Sequence, residues 1–100
     1  LYISGQIPLN PVSQKLELDS IQKATKQVMS NIQALLNAAG MTTEHVVKCS
    51  IFLKDMNDFS EVNKIYSSYF TDTYPARETV QVARLPLDVS IEISCIASKE

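Results

Sequence analysis

The run Val89 to Ala97 alternates without a break: Val89, Ile91, Ile93, Cys95 and Ala97 fall on one side, and Ser90, Glu92, Ser94 and Ile96 on the other. Successive side chains of a strand point to opposite faces, so this pattern predicts a β-strand with one wholly apolar face. Five inward positions with no polar member make it the expected central strand of a sheet. The rest of the chain must then supply neighbours for both of its edges and a layer to cover its apolar side.

The preceding segments can supply them. Leu1 to Gln6 reads as a short strand, ended by Pro8, Asn10 and Pro11. A loop leads to about Ser20, where Asp19 or Ser20 can cap a helix by accepting from a free amide of its first turn. Ile21, Ala24, Val28, Ile32, Leu35 and Ala39 recur at helical intervals and predict one apolar stripe. Gly40 stands where a left-handed residue would end that helix.

After a loop holding His45, Val46 to Lys54 alternates, with Val47, Cys49, Ile51 and Leu53 expected inward and Lys48, Ser50, Phe52 and Lys54 outward. Asn57 or Asp58 opens a second helix of about three turns, with Phe59, Val62, Ile65, Tyr66, Tyr69 and Phe70 near its apolar face. It must stop before Tyr74-Pro75, because the residue ahead of a proline resists helical geometry. Arg77 to Val82 is a further strand, separated from the last by Leu85-Pro86-Leu87-Asp88.

The order strand, helix, strand, helix, strand, strand fits residues 1–100 as a single α+β domain. Both helices have one apolar face and can share one side of a sheet. The other side would carry Phe52 and Ile96 among polar residues, a surface better suited to a subunit interface than to water. The chain opens inside a strand at Leu1, so a preceding segment is expected.

Composition narrows the function classes. The net charge is −2, with no Lys/Arg run and no aromatic-basic interleaving, so a nucleic-acid partner is not expected. No apolar run reaches the ~20 residues of a membrane span. Cys49 and Cys95 are too few for a disulfide framework, and each falls in an apolar alternation, so both are expected as reduced core residues in a cytoplasmic setting. His45 has no partner at a telling distance in sequence, the set His45, Cys49 and Cys95 cannot close a structural metal site, and neither glycine belongs to a phosphate-binding pattern. No metal or cofactor is expected.

What remains is a polar face on the last two strands. Alternation puts Arg77 with Thr79, and Glu92 with Ser94. An arginine fork can hold a carboxylate bidentately, and a carboxylate such as Glu92 can orient or activate water. Periodicity alone leaves open the plainer reading of a surface Arg and a surface Glu.

The segment Tyr74-Pro75-Ala76-Arg77-Glu78-Thr79-Val80-Gln81-Val82-Ala83-Arg84-Leu85-Pro86, continuing through Asp88-Val89-Ser90-Ile91-Glu92-Ile93, closely resembles the signature of the RidA/YjgF family. Ile3-Ser4-Gly5-Gln6-Ile7-Pro8, Asn31 to Gly40, Lys54-Asp55-Met56-Asn57-Asp58-Phe59 and Val62-Asn63 extend the resemblance along the chain.

The resemblance implies a chorismate-mutase-like mixed sheet with two helices on one face, the final strand inserted away from its predecessor. It implies a homotrimer with a barrel-like core and sites in the clefts between subunits. It implies hydrolysis of reactive enamine/imine acids such as 2-aminoacrylate to a 2-keto acid and ammonia, without a cofactor, downstream of pyridoxal-phosphate-dependent dehydratases. By position, Arg77 resembles the carboxylate-binding arginine and Glu92 the carboxylate that positions water. Gly5 and Thr79 would line the pocket through their backbones, with Ser4 and Asn63 in the site region. Thr79 stands where many members have cysteine, Ser94 stands where a second acidic residue is common, and the family's N-terminal strand, which carries a tyrosine near the site, would precede Leu1. A regulator or chaperone-like protein using the same cleft is the alternative, and a ribonuclease a further one.

Overall fold

In the computed structural model, which describes residues 1–99, the C-terminal strand lies inside the sheet as its alternation predicts. Four strands, β1 (Tyr2–Gln6), β2 (Val46–Leu53), β3 (Ala76–Gln81) and β4 (Ile91–Ala97), form one mixed sheet in the order β1-β4-β2-β3. Strand β4 runs antiparallel to both neighbours, while β2 and β3 are parallel. Parallel strands need a crossover, and helix α2 (Phe59–Ser67) provides it. Strands β3 and β4 do not pair; the segment between them, with its turn at Pro86–Asp88, carries the chain over to the far side of β2.

Helix α1 (Ile21–Ala38) begins where Ser20 accepts from the Lys23 amide at 3.1 Å. It ends at Gly40, whose φ of 73° is the left-handed conformation that closes a helix. There the Met41 amide donates to the Leu36 carbonyl and the Gly40 amide to the Asn37 carbonyl, a Schellman closure. The buried stripe of α1 is Ala24, Thr25, Val28, Met29, Ile32 and Leu36. Leu35 and Ala39, expected inward, are exposed. Apolar residues sit on two adjacent faces of this helix, and packing selects the face holding Met29 and Leu36. Thr25 is tolerated there because its hydroxyl donates to the Ile21 carbonyl at 2.7 Å.

A second correction falls in β2. Val46 is buried and Val47 is 49% exposed, against the expected phase, while Cys49, Ile51 and Leu53 do face inward. The register against β4 shifts between Val46 and Lys48. One extra residue in a strand inverts the face of everything before it. The second helix is also shorter than expected. Asp55 caps a single turn, Met56–Asp58, α2 follows for nine residues, and looser turns bring Phe70 back onto the core.

The core lies between the helices and one sheet face, built from Val28, Met29, Ile32, Leu36, Val62 and Tyr66 against Ile51, Leu53, Ile91 and Ile93. The opposite face carries Lys48, Ser50 and Phe52 of β2 in register with Ala76, Glu78 and Val80 of β3 and with Ile96, Ser94 and Glu92 of β4. The chain leaving β1 is fixed to α1 by Asn31, whose amide donates to the carbonyls of Ile7 and Leu9. That fastening sets the position of Gly5 at the end of β1.

Candidate functional site

Arg77 is in register with Cys49 of the parallel β2, so its side chain leaves the sheet on the helix side. Its guanidinium stands over the rings of Phe59 and Tyr66, 5.5 and 5.4 Å from their centroids, and its Nη1 donates to Asn63 Oδ1. Phe59, Asn63 and Tyr66 are four and three residues apart and therefore share one face of α2. The helix holds the cation against two aromatic rings and fixes its rotation with one hydrogen bond. A guanidinium has five N–H donors, so most remain for a ligand.

Asn63, Tyr66, Ser67, Tyr74, Pro75 and Arg77 line a cavity of about 310 Å³. This is the small end of the usual range for ligand pockets. Thr79, two residues along β3 on the same face, has a buried hydroxyl with no hydrogen-bond partner among the described residues. The Tyr66 hydroxyl is likewise buried and unpartnered. Burial, with the Cys49 thiol beside it, pushes the Tyr66 phenol well above its ordinary range, so it stays protonated as a donor.

Glu92 lies elsewhere. It is in register with Phe52, which is in turn in register with Val80, so Glu92 and Ser94 point away from the helices. Adjacent strands are ~4.8 Å apart, which sets Glu92 roughly 10 Å from β3 laterally, on the opposite face from Arg77. The expectation of one polar face shared by the last two strands is therefore corrected. Alternation gives the relative phase within each strand, and the insertion of β4 beyond β2 separates the two.

Glu92 has a companion of its own. A Cβ on Gly5 would overlap the Glu92 carboxylate, so glycine at this position lets the β1 backbone lie against it. Ser4 is exposed beside it, with its carbonyl accepting from the Gln6 side chain. The residues singled out in the sequence thus form two groups: Arg77, Asn63 and Thr79 on the helix side of an edge strand, and Glu92, Gly5 and Ser4 on the other face. One chain does not bring the two groups onto one small molecule.

Sequence reasoning missed the clamp on Arg77. Phe59 and Tyr66 read as core residues, and Tyr66 is one, yet both also meet the guanidinium. The signal was their spacing about Asn63. His45 resolves into a local role, its Nδ1 accepting from the Thr42 amide at 3.0 Å to close a turn. No helix of the described residues is long and apolar enough to cross a membrane.

A mixed sheet backed by two helices, with an arginine held by aromatic rings at its parallel edge, defines a small α+β protein. The profile of the family described as Endoribonuclease L-PSP matches residues 1–99. The chain belongs to this family, also called Rid or YjgF. A RutC family protein of Pyrococcus horikoshii is 48% identical over 100 residues, covering all of this chain and 79% of its own length. The 2-iminobutanoate/2-iminopropanoate deaminase of Escherichia coli is 46% identical over 97 residues, covering 94% of this chain and 75% of its own. The crystal structure of Escherichia coli TdcF with bound serine superposes with a TM-score of 0.94 at 38% identity, covering 99% of this chain and 80% of that one.

Proposed function

We propose that the protein is a hydrolytic deaminase of reactive enamine/imine acids such as 2-aminoacrylate, releasing a 2-keto acid and ammonia. The observation that carries this reading is the clamped Arg77. Its fork faces a cavity sized for a small acid, and its free donors match a carboxylate. The Escherichia coli deaminase supports the substrate class, and the serine-bound TdcF supports a small amino or imino acid as the ligand type.

The chemistry asks little of the protein. An imine carbon is already electrophilic, so catalysis consists of holding the acid, placing a water and moving protons. Arg77 holds the carboxylate. Thr79 lies beyond the residues that line the cavity in one chain; in the proposed shared site its backbone and its buried, unpartnered hydroxyl complete the cleft beside Arg77. Glu92 accepts a proton from the attacking water, and Gly5 and Ser4 form the wall behind it. Water adds to the C=N carbon, the carbinolamine nitrogen is protonated, and its C–N bond breaks to leave the keto acid and ammonia. Because Glu92 and Arg77 lie on opposite faces of one sheet, the working site joins Arg77 of one subunit to Glu92 of another. A homotrimer with its open sheet faces turned inward meets that requirement. No metal or cofactor takes part, and the setting is the cytoplasm, beside the pyridoxal-phosphate-dependent dehydratases that generate such imines.

The test couples a serine or threonine dehydratase to wild type and to Arg77→Ala, with oligomer size measured alongside. Wild type should speed keto-acid and ammonia release, and the variant should lose about 100-fold or more of that acceleration at unchanged size. Full activity in Arg77→Ala would sink the proposal. Calorimetric binding of 2-keto acids by wild type without turnover would favour the regulator. RNA cleavage lost with Arg77 would favour the ribonuclease of the family description, against the chain's net charge of −2.

A further inference from the structure

Cys49 and Cys95 are both free and buried, and they stand directly opposite each other on β2 and β4. Their sulfurs are 3.1 Å apart, inside the ~3.5–4.0 Å at which non-bonded heavy atoms ordinarily settle. Directly paired residues of antiparallel strands have Cα atoms about 4.5–5.5 Å apart, within the window of about 4.4–6.8 Å that a disulfide spans. Bond formation therefore requires the sulfurs to approach by roughly 1 Å and no rearrangement of the sheet.

The two thiols have different surroundings. Cys49 is in register with Arg77 and lies beside Tyr66, the two residues that also line the cavity. Cys49 is itself fully buried and does not line the cavity, so a small uncharged oxidant reaches it when the packing around Tyr66 opens. The same neighbours act on the thiol itself. The adjoining Cys95 sulfur, with Tyr66 and the Arg77 charge nearby, holds Cys49 below the ordinary thiol range despite its burial. Cys95 is pushed the other way, by Cys49 and by burial. Both thiols are buried, so thiolate character rather than exposure distinguishes them, and the cysteine in register with Arg77 is the one that an oxidant attacks.

We infer that Cys49 and Cys95 are a redox couple that closes to an intrachain cross-strand disulfide on exposure to a small peroxide, Cys49 reacting first and Cys95 resolving it. In the first step the Cys49 thiolate attacks one peroxide oxygen. The O–O bond breaks, Cys49 becomes the sulfenic acid, and the departing hydroxide takes up the proton that the Cys49 thiol gave up, leaving as the first water. In the second step the Cys95 sulfur attacks Cys49 Sγ, the S–O bond breaks, and the hydroxyl departs with the Cys95 proton as water. The sum is two thiols and hydrogen peroxide giving one disulfide and two waters, with the peroxide as the electron acceptor. A dithiol reverses it.

The experiment treats the native chain with hydrogen peroxide at neutral pH, then unfolds it in excess N-ethylmaleimide and measures its mass. The expected result is a chain lighter by two hydrogens, with neither thiol labelled, a single Cys49–Cys95 linkage on peptide mapping, and full recovery of both thiols after dithiothreitol. Two labelled thiols after treatment that oxidises glutathione would overturn the inference. So would a sulfinic acid on Cys49 without a linkage, or a linkage between chains. In Cys95→Ala the reaction should halt at Cys49 as a sulfenic acid trapped by dimedone; an adduct on Cys95 in Cys49→Ala without one on Cys49 in Cys95→Ala would refute the order. Should either variant fail to fold, the wild-type mass and linkage still decide. These outcomes do not depend on imine hydrolysis.

Discussion

Arg77 illustrates how a charged side chain on an edge strand is made specific. Left to itself, an exposed arginine samples many rotamers, and ordering it costs up to about 2 kcal/mol of side-chain entropy. Here the guanidinium stands over the rings of Phe59 and Tyr66 and Asn63 sets its rotation, so much of that cost is met when the chain folds. Two outcomes follow. Arg77→Lys keeps the charge but loses the planar fork; the lost charge-assisted bond, about 1.5–3 kcal/mol, corresponds to roughly a 10- to 100-fold drop in kcat/KM. Asn63→Ala leaves fork and charge intact and frees only the rotation, so it should raise KM more than it lowers kcat, with thermal stability unchanged. Steady-state kinetics in the coupled assay separate the two. An Arg77→Lys variant as active as wild type would remove bidentate binding from the account.

At the scale of elements, legibility tracks how local the cause is. The closure of α1 could be read from Gly40 because a left-handed C′ residue is a local requirement, and Ser20 could be read as a cap for the same reason. The phase of α1 could not. Leu35 and Leu36 are neighbours in an apolar run, and which one turns inward depends on the sheet beneath. Val47 failed likewise, because the bulge that exposes it is defined by its pairing with β4. β3 was the least legible strand, since nearly every residue in it is exposed and its alternation gives no sign of which face meets the helices. The α1 correction can be measured directly. Leu36→Ala should cost about 2–5 kcal/mol, as for a fully buried leucine, and Leu35→Ala well under 1 kcal/mol. Chemical denaturation of the two variants checks this; equal costs would mean that both faces of α1 are packed.

At the scale of the whole molecule, the question is why Arg77 and Glu92 should belong to one site when one chain holds them apart. The family signature places them 15 residues apart in sequence, close enough to suggest adjacent strands of a hairpin. Topology intervenes, since β4 inserts between β1 and β2 and turns Glu92 to the open sheet face beside the Gly5 backbone. That face carries Phe52, Val80 and Ile96 among charged residues, so an assembly that covers it also brings a neighbour's residues to Glu92. In a cyclic assembly each interface is heterologous, and the proposed site would take Arg77 from one subunit and Glu92 from the next. Arg77→Ala and Glu92→Gln subunits should then each be inactive alone and complement when mixed. If the two are co-refolded in equal amounts, a site works only where an Arg77-bearing subunit is followed by a Glu92-bearing one. Random assembly makes that half times half, so about a quarter of the wild-type sites return. If each chain held a complete site, mixing would return nothing, because every subunit would carry one of the two lesions. Recovery near one quarter, measured in the dehydratase-coupled assay against unmixed controls, therefore reads out the shared site directly, and its absence in mixed oligomers shown to form by mass would exclude it.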